Sequence, residues 1–142
     1  MKITICGSLT FFKEMLQAKE KLEQMGHGVN IPTDAPDVAS GNHNNDNLEA
    51  DYQRCIKDDI MRTHFKLIEQ SDAVLVLNYD KNNIKGYIGT ASLMEIGLAY
   101  HLHKKIFLLY PFPHYSEQRW AHEVRIIQPV IINGDLTKIK EI

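Results

Sequence analysis

Cysteine is scarce in this chain: only Cys6 and Cys55 occur in 142 residues. Two thiols cannot build the disulfide framework of a small secreted domain. Long apolar runs are missing too, since no stretch nears the roughly 20 residues that a membrane-spanning helix needs. No N-terminal segment has the pattern of a secretory signal. Neither sign of charge dominates: 16 Lys and Arg stand against 18 Asp and Glu, for a net charge of -2. That balance argues against a protein that holds nucleic acid by neutralising phosphates. The runs Lys19-Glu20-Lys21 and Lys104-Lys105 read as solvated faces. These absences lead us to expect a cytoplasmic chain with reduced thiols and no nucleic-acid or membrane partner.

What is present is ordinary for a globular protein, with 44% apolar and 24% charged residues. A chain of this length can bury a core without disulfide or metal staples. We therefore expect one domain spanning residues 1–142. Lys2–Cys6 reads as a first strand and Phe11–Met25 as an amphipathic helix stopped by Gly26. Val29–Ile31 reads as a second strand closed by Pro32. The stretch Asp34–Asn47 shows no periodicity and reads as a mobile loop, a type often used as a lid. One long helix is expected from Leu48 to Gln70, on the recurrence of Tyr52, Ile56, Ile60, His64 and Ile68. The continuous run Ala73–Leu77 suits a central strand buried on both faces. A helix over Gly89–Leu102, a strand over Ile106–Leu109, a helix over Ser116–Ile127, a strand at Val130–Ile132 and a short helix after Asp135 complete the alternation. The pattern predicts an α/β fold: a three-layer, Rossmann-like (flavodoxin-like) parallel sheet of about five strands.

In such sheets ligands bind beyond the carboxyl ends of the strands. That rule favours Gly7–Phe11, the loop after the second strand, Asn78–Thr90 and Tyr110–Pro113. Within Thr90–Tyr100, Glu95 is the single charged residue, with Ala91, Ser92, Leu98 and Ala99 on its face. A carboxylate in that setting is costly unless it is paired or faces a wet cavity. Gly86-Tyr-Ile-Gly89-Thr90 leads into the same helix, and a glycine-bearing helix entry can present N–H groups and hydroxyls to phosphate. Its spacing matches neither a P-loop nor the dinucleotide fingerprint. Gly7 and Ser8 end the first strand at the ligand edge, while Asn78 and Asp80 leave the central strand there as sugar or base contacts, or as turn formers. His64 lies on the apolar line of its helix and reads as a core residue. Asp72 sits at the opposite edge and reads as structural, with Asp58 and Asp59 better placed. No histidine pair has metal-ligand spacing, so no metal site or cofactor is expected. A Cys/His nucleophilic pair is not expected either, because Cys6 lies inside an apolar strand.

Three segments carry a resemblance: Ile5-Cys-Gly-Ser-Leu9, Ser71-Asp-Ala-Val-Leu75 and Tyr87-Ile-Gly-Thr-Ala-Ser-Leu-Met-Glu-Ile-Gly-Leu-Ala99. Over roughly residues 1–109 the chain resembles the nucleoside 2-deoxyribosyltransferase superfamily, which includes 2′-deoxynucleoside 5′-phosphate N-hydrolases. The resemblance implies that Glu95 is a nucleophile at the anomeric carbon, forming a glycosyl-enzyme ester. It places Gly89, Thr90 and Ser92 at the sugar 5′ end or phosphate, and Gly7 and Ser8 beside the base. Where the family often has a tyrosine, an aspartate and an arginine, this chain has Thr4, His64 and Thr10; His64 keeps the capacity to hydrogen-bond a sugar. The implied partner is a small-molecule nucleoside or nucleotide, and a homodimer or larger homo-oligomer is implied because related enzymes complete their sites across a subunit interface. The hydroxyl-rich entry tips the expectation towards hydrolysis of a monophosphate over base exchange. A rival reading is a non-catalytic nucleotide-binding module of the same fold. Another, a phosphoribohydrolase, lacks its Pro-Gly-Gly lead here, since Lys85-Gly-Tyr-Ile stands in that place.

Overall fold

Strand β1 (Lys2–Cys6) turns Ile3 and Ile5 to one side and Thr4 and Cys6 to the other, and all four are fully buried. Burial on both faces requires helices on both, and the computed structural model, which describes residues 1–36, 40–41 and 47–140, has that arrangement. Four more strands join β1 in parallel: β2 (Gly28–Asn30), β3 (Ala73–Val76), β4 (Lys105–Leu108) and β5 (Val130–Ile131). Their order is β2-β1-β3-β4-β5, the expected three-layer α/β architecture.

The period-two alternation of the strands divides the interior into two cores. On one face Ile3, Ile5, Leu75 and Phe107 pack with Met15, Ala18 and Leu22 of α1 (Phe12–Gln24). On the other, Cys6, Val74, Val76 and Leu108 meet α3 (Ile60–Glu69), α4 (Thr90–His101) and α5 (Ala121–Ile127) through Ile68, Ile96, Ala99 and Val124. Burying each large side chain of this kind stabilises the fold by about 1.5–3 kcal/mol. Among the described residues no helix is long and apolar enough to cross a membrane.

Several expectations need correction. The single helix over Leu48–Gln70 is two helices, α2 (Leu48–Lys57) and α3, broken at Asp58 and Asp59. The four-residue repeat drifts around the helix, so Tyr52 and Ile56 are exposed while His64 and Ile68 are buried. Asp59 takes up the change of direction at φ 48°, a left-handed conformation that aspartate tolerates better than most residues. Asp58 and Asp59 thus make the break and do not line the site described below. The helix expected from Ser116 starts at Ala121, because the ring of His114 takes the Ser116 N–H at 3.1 Å and holds a turn. The segment after Asp135 is a single 3-10 turn, Leu136–Lys138, capped by the Asp135 carboxylate. Of the loop expected from Asp34 to Asn47, residues 37–39 and 42–46 lie outside the described residues.

The direction of winding reverses between β1 and β3, where a crevice opens at the carboxyl edge. Gly7 makes the exit from β1 at φ 146°, and a Cβ there would sit 3.2 Å from the Leu77 carbonyl oxygen. At the opposite edge the Asp72 carboxylate accepts the Lys2 N–H at 2.7 Å, a structural role away from the crevice.

Candidate active site

A cavity of about 400 Å³ occupies the crevice, a volume suited to a small ligand. The β1 exit supplies Gly7 and Ser8. The entry of α4 supplies Gly89, Thr90 and Ser92. Glu95 lies one turn further along α4, and His64 comes from α3. Six of the eight residues expected to contact substrate therefore share one cavity with Glu95. The other two do not line it. Asn78 is fully buried and its side-chain amide clasps the Tyr110 backbone, donating to the carbonyl at 2.6 Å and accepting the N–H at 2.9 Å. The Asp80 carboxylate accepts the Gly86 N–H at 3.1 Å. Both side chains hold the loop between β3 and α4 in shape.

The Glu95 side chain is 14% exposed, and its Oε2 lies 3.6 Å from His64 Nε2. That separation is beyond a good hydrogen bond. The Cys6 Sγ lies 3.6 Å from the same His64 nitrogen. Burial, and then the nearby charge of Glu95, push the Cys6 thiol well above its usual range. It keeps its proton at neutral pH and is a weak nucleophile there. His64 is buried, and among the described residues its Nδ1 has no hydrogen-bond partner.

The sequence reading gave Cys6 and His64 no reason to meet, yet they are neighbours in the fold. Cys6 is inside an apolar strand, yet its alternation turns the thiol towards α3 and α4. Donor atoms of Cys6, His64 and Glu95 lie within 4.8 Å of one another, so among the described residues these three could take up a metal ion. No linear spacing announces the cluster, because β1, α3 and α4 supply one residue each.

Sequence reasoning also missed polar groups on the outer wall. Arg54 of α2 reaches Asp34 at 2.6 Å and Asp51 at 2.8 Å. Burial works against its charge, but the two carboxylates outweigh that and hold its pKa above the ordinary value. The Arg54 Nε is buried, and it has no hydrogen-bond partner among the described residues. Asp34 follows β2 at the favoured edge, and the three-residue step from Asp51 to Arg54 was the available signal. Lys81 and Tyr87 also line the cavity, from the loop after β3.

Fold and site together define an α/β protein with a cavity of small-ligand volume at the switch point of a parallel sheet, with the Glu95 carboxylate in its wall. The model of the nucleoside 2-deoxyribosyltransferase family matches residues 5–123, and the chain belongs to that family. Its enzymes act at the N-glycosidic bond of small-molecule nucleosides and nucleotides. Among solved structures the chain is similar to the Clostridium botulinum CMP N-glycosidase BcmB, with 18% identity and a TM-score of 0.51. The match covers 94% of this chain and 89% of that one, a likeness of fold. No curated protein matches the sequence.

Proposed function

We propose that this protein cleaves, or transfers at, the N-glycosidic bond of a nucleoside or nucleoside 5′-monophosphate, with Glu95 as nucleophile. The observation that carries the reading is a largely buried carboxylate that lines a ligand-sized cavity, with His64 Nε2 at 3.6 Å from it. One Glu95 oxygen bonds to C1′ while the C1′–N bond breaks, and the base departs with the bonding pair and takes up a proton. Water then hydrolyses the glycosyl ester, or a second base takes the sugar. The parallel is with retaining glycosidases, where a carboxylate meets an oxocarbenium-like centre. Cys6, which keeps its proton, is the weaker nucleophile. The oligomer belongs to the same proposal: Leu48, Tyr52 and Ile56 leave an exposed apolar row on α2, beside the cavity, for a second copy to cover.

The test is base release from a panel of nucleosides and their monophosphates, with and without an acceptor base, followed by chromatography. Glu95→Gln should lower the rate at least about a thousandfold while melting at the same temperature as the parent. A fully active Glu95→Gln would overturn the assignment. Saturable binding with no turnover in the parent would select a binding module instead.

A further inference from the structure

Lys81 has no part in the reaction written above, yet its position is fixed with care. It opens a two-residue turn, Asn82-Asn83, with φ 54° and 62°. The turn is closed by paired backbone bonds between Lys81 and Ile84, at 3.1 and 2.9 Å. Positive φ at both central residues is the hairpin turn that asparagine favours. The Asp80 carboxylate, bound to the Gly86 N–H, ties down the rest of the loop. The side chain then crosses to β1, where Nζ donates to Ser8 Oγ at 2.9 Å. Ser8 Oγ in turn donates to Thr10 Oγ1 at 3.0 Å. Among the described residues no carboxylate lies within ion-pair distance of this ammonium.

The ammonium lines the same cavity as the start of α4, whose first N–H groups carry partial positive charge, while the carboxylates of Asp34, Asp51 and Glu95 line other parts of it. It stands 5.8 Å from the centre of the Tyr87 ring, and that ring packs on Gly89, the residue before α4. The N-cap residue of α4 is Gly89, which has no side chain to cap the helix, and its first N–H groups are therefore available to a ligand. Ser92 is 4% exposed and lines the cavity, and among the described residues no protein group hydrogen-bonds its hydroxyl. A fixed cation, an uncapped helix start and the hydroxyl of a mostly buried serine thus border one space. A dianionic phosphate, with oxygens to accept from each, satisfies all three.

We infer that Lys81 is a specificity-determining residue whose ammonium selects a 5′-phosphorylated ligand over the free nucleoside. The inference rests on the nucleotide reading above only for the identity of the ligand; the selection itself is a matter of binding. Lys81 touches the phosphate and not the reacting atoms.

The experiment is calorimetry on the full chain with the four common nucleoside 5′-monophosphates and their matched nucleosides, at two salt concentrations. The preferred monophosphate should bind at least about tenfold tighter than its nucleoside, and added salt should narrow that gap. Lys81→Met should remove most of the preference, and Lys81→Arg should keep it, with melting curves confirming that both variants fold. Equal affinity for nucleotide and nucleoside, a preference that survives Lys81→Met, or no binding at all would overturn the inference. Phosphate preference without base release would keep the role of Lys81 and overturn the enzymatic reading, and base release without preference would do the reverse.

Discussion

Cys6 holds its proton because the folded chain strips its thiol of water and sets Glu95 beside it. Its folded pKa is therefore raised above that of the unfolded chain, which lies near about 8.5. The sign follows: the stabilisation is complete below the unfolded value and is lost as pH climbs through it towards the folded one. Thermal melts between pH 7 and 10 should show stability falling with rising pH. Cys6→Ala should flatten that fall, whatever it costs at pH 7; an unchanged slope would refute the account. The same residue shows where linear reading stops. An apolar strand disguises the thiol, and only the parallel pairing of β1 with β3, with α3 and α4 packed over it, brings it to His64 and Glu95.

Between β3 and α4 the chain makes a loop without regular secondary structure, yet it is held at several points. Asn78 clasps Tyr110, Asp80 binds Gly86, and Gly86 passes against Pro111. At φ 67°, Gly86 uses a conformation that other residues resist, and a Cβ there would fall 2.0 Å from the Pro111 carbonyl oxygen. The obstacle is backbone, so no side-chain rotation relieves it. Gly86→Ala should lower the unfolding free energy in urea by about 2 kcal/mol or more. It should also weaken nucleotide binding, because the loop carries Lys81 and Tyr87. A variant with the parent's urea midpoint would show that the close approach is not needed. The break between α2 and α3 is another element-scale feature. It turns Arg54 and His64 to one cavity, although the sequence reads through it as one helix.

At the scale of the whole molecule, the site exists because the strand order reverses between β1 and β3 and opens a crevice there. The cavity is bordered by α2, whose Leu48, Tyr52 and Ile56 are exposed apolar residues. We expect light scattering on the full chain to give two or more times its 16.3 kDa. Tyr52→Glu together with Ile56→Glu should return it to one copy with the fold intact. A parent that scatters as a single copy at tens of micromolar would remove the oligomer from the proposal.

The sequence alone determined the α/β alternation, the central strand and the helix that carries Glu95. These depend on hydrophobic periodicity and on one charge amid small apolar neighbours, both local properties. It also marked Gly7, Ser8, Gly89, Thr90 and Ser92, because strand ends and helix entries are readable and the sheet edge that binds ligands is a general rule. Only the tertiary structure decided the rest. It gathered Cys6, His64 and Glu95 from three elements, set Arg54 between two aspartates, aimed Lys81 at Ser8, and spent Asn78 and Asp80 on the loop. Such contacts join residues far apart in the chain, and chain order carries no signal of a distance that folding alone sets.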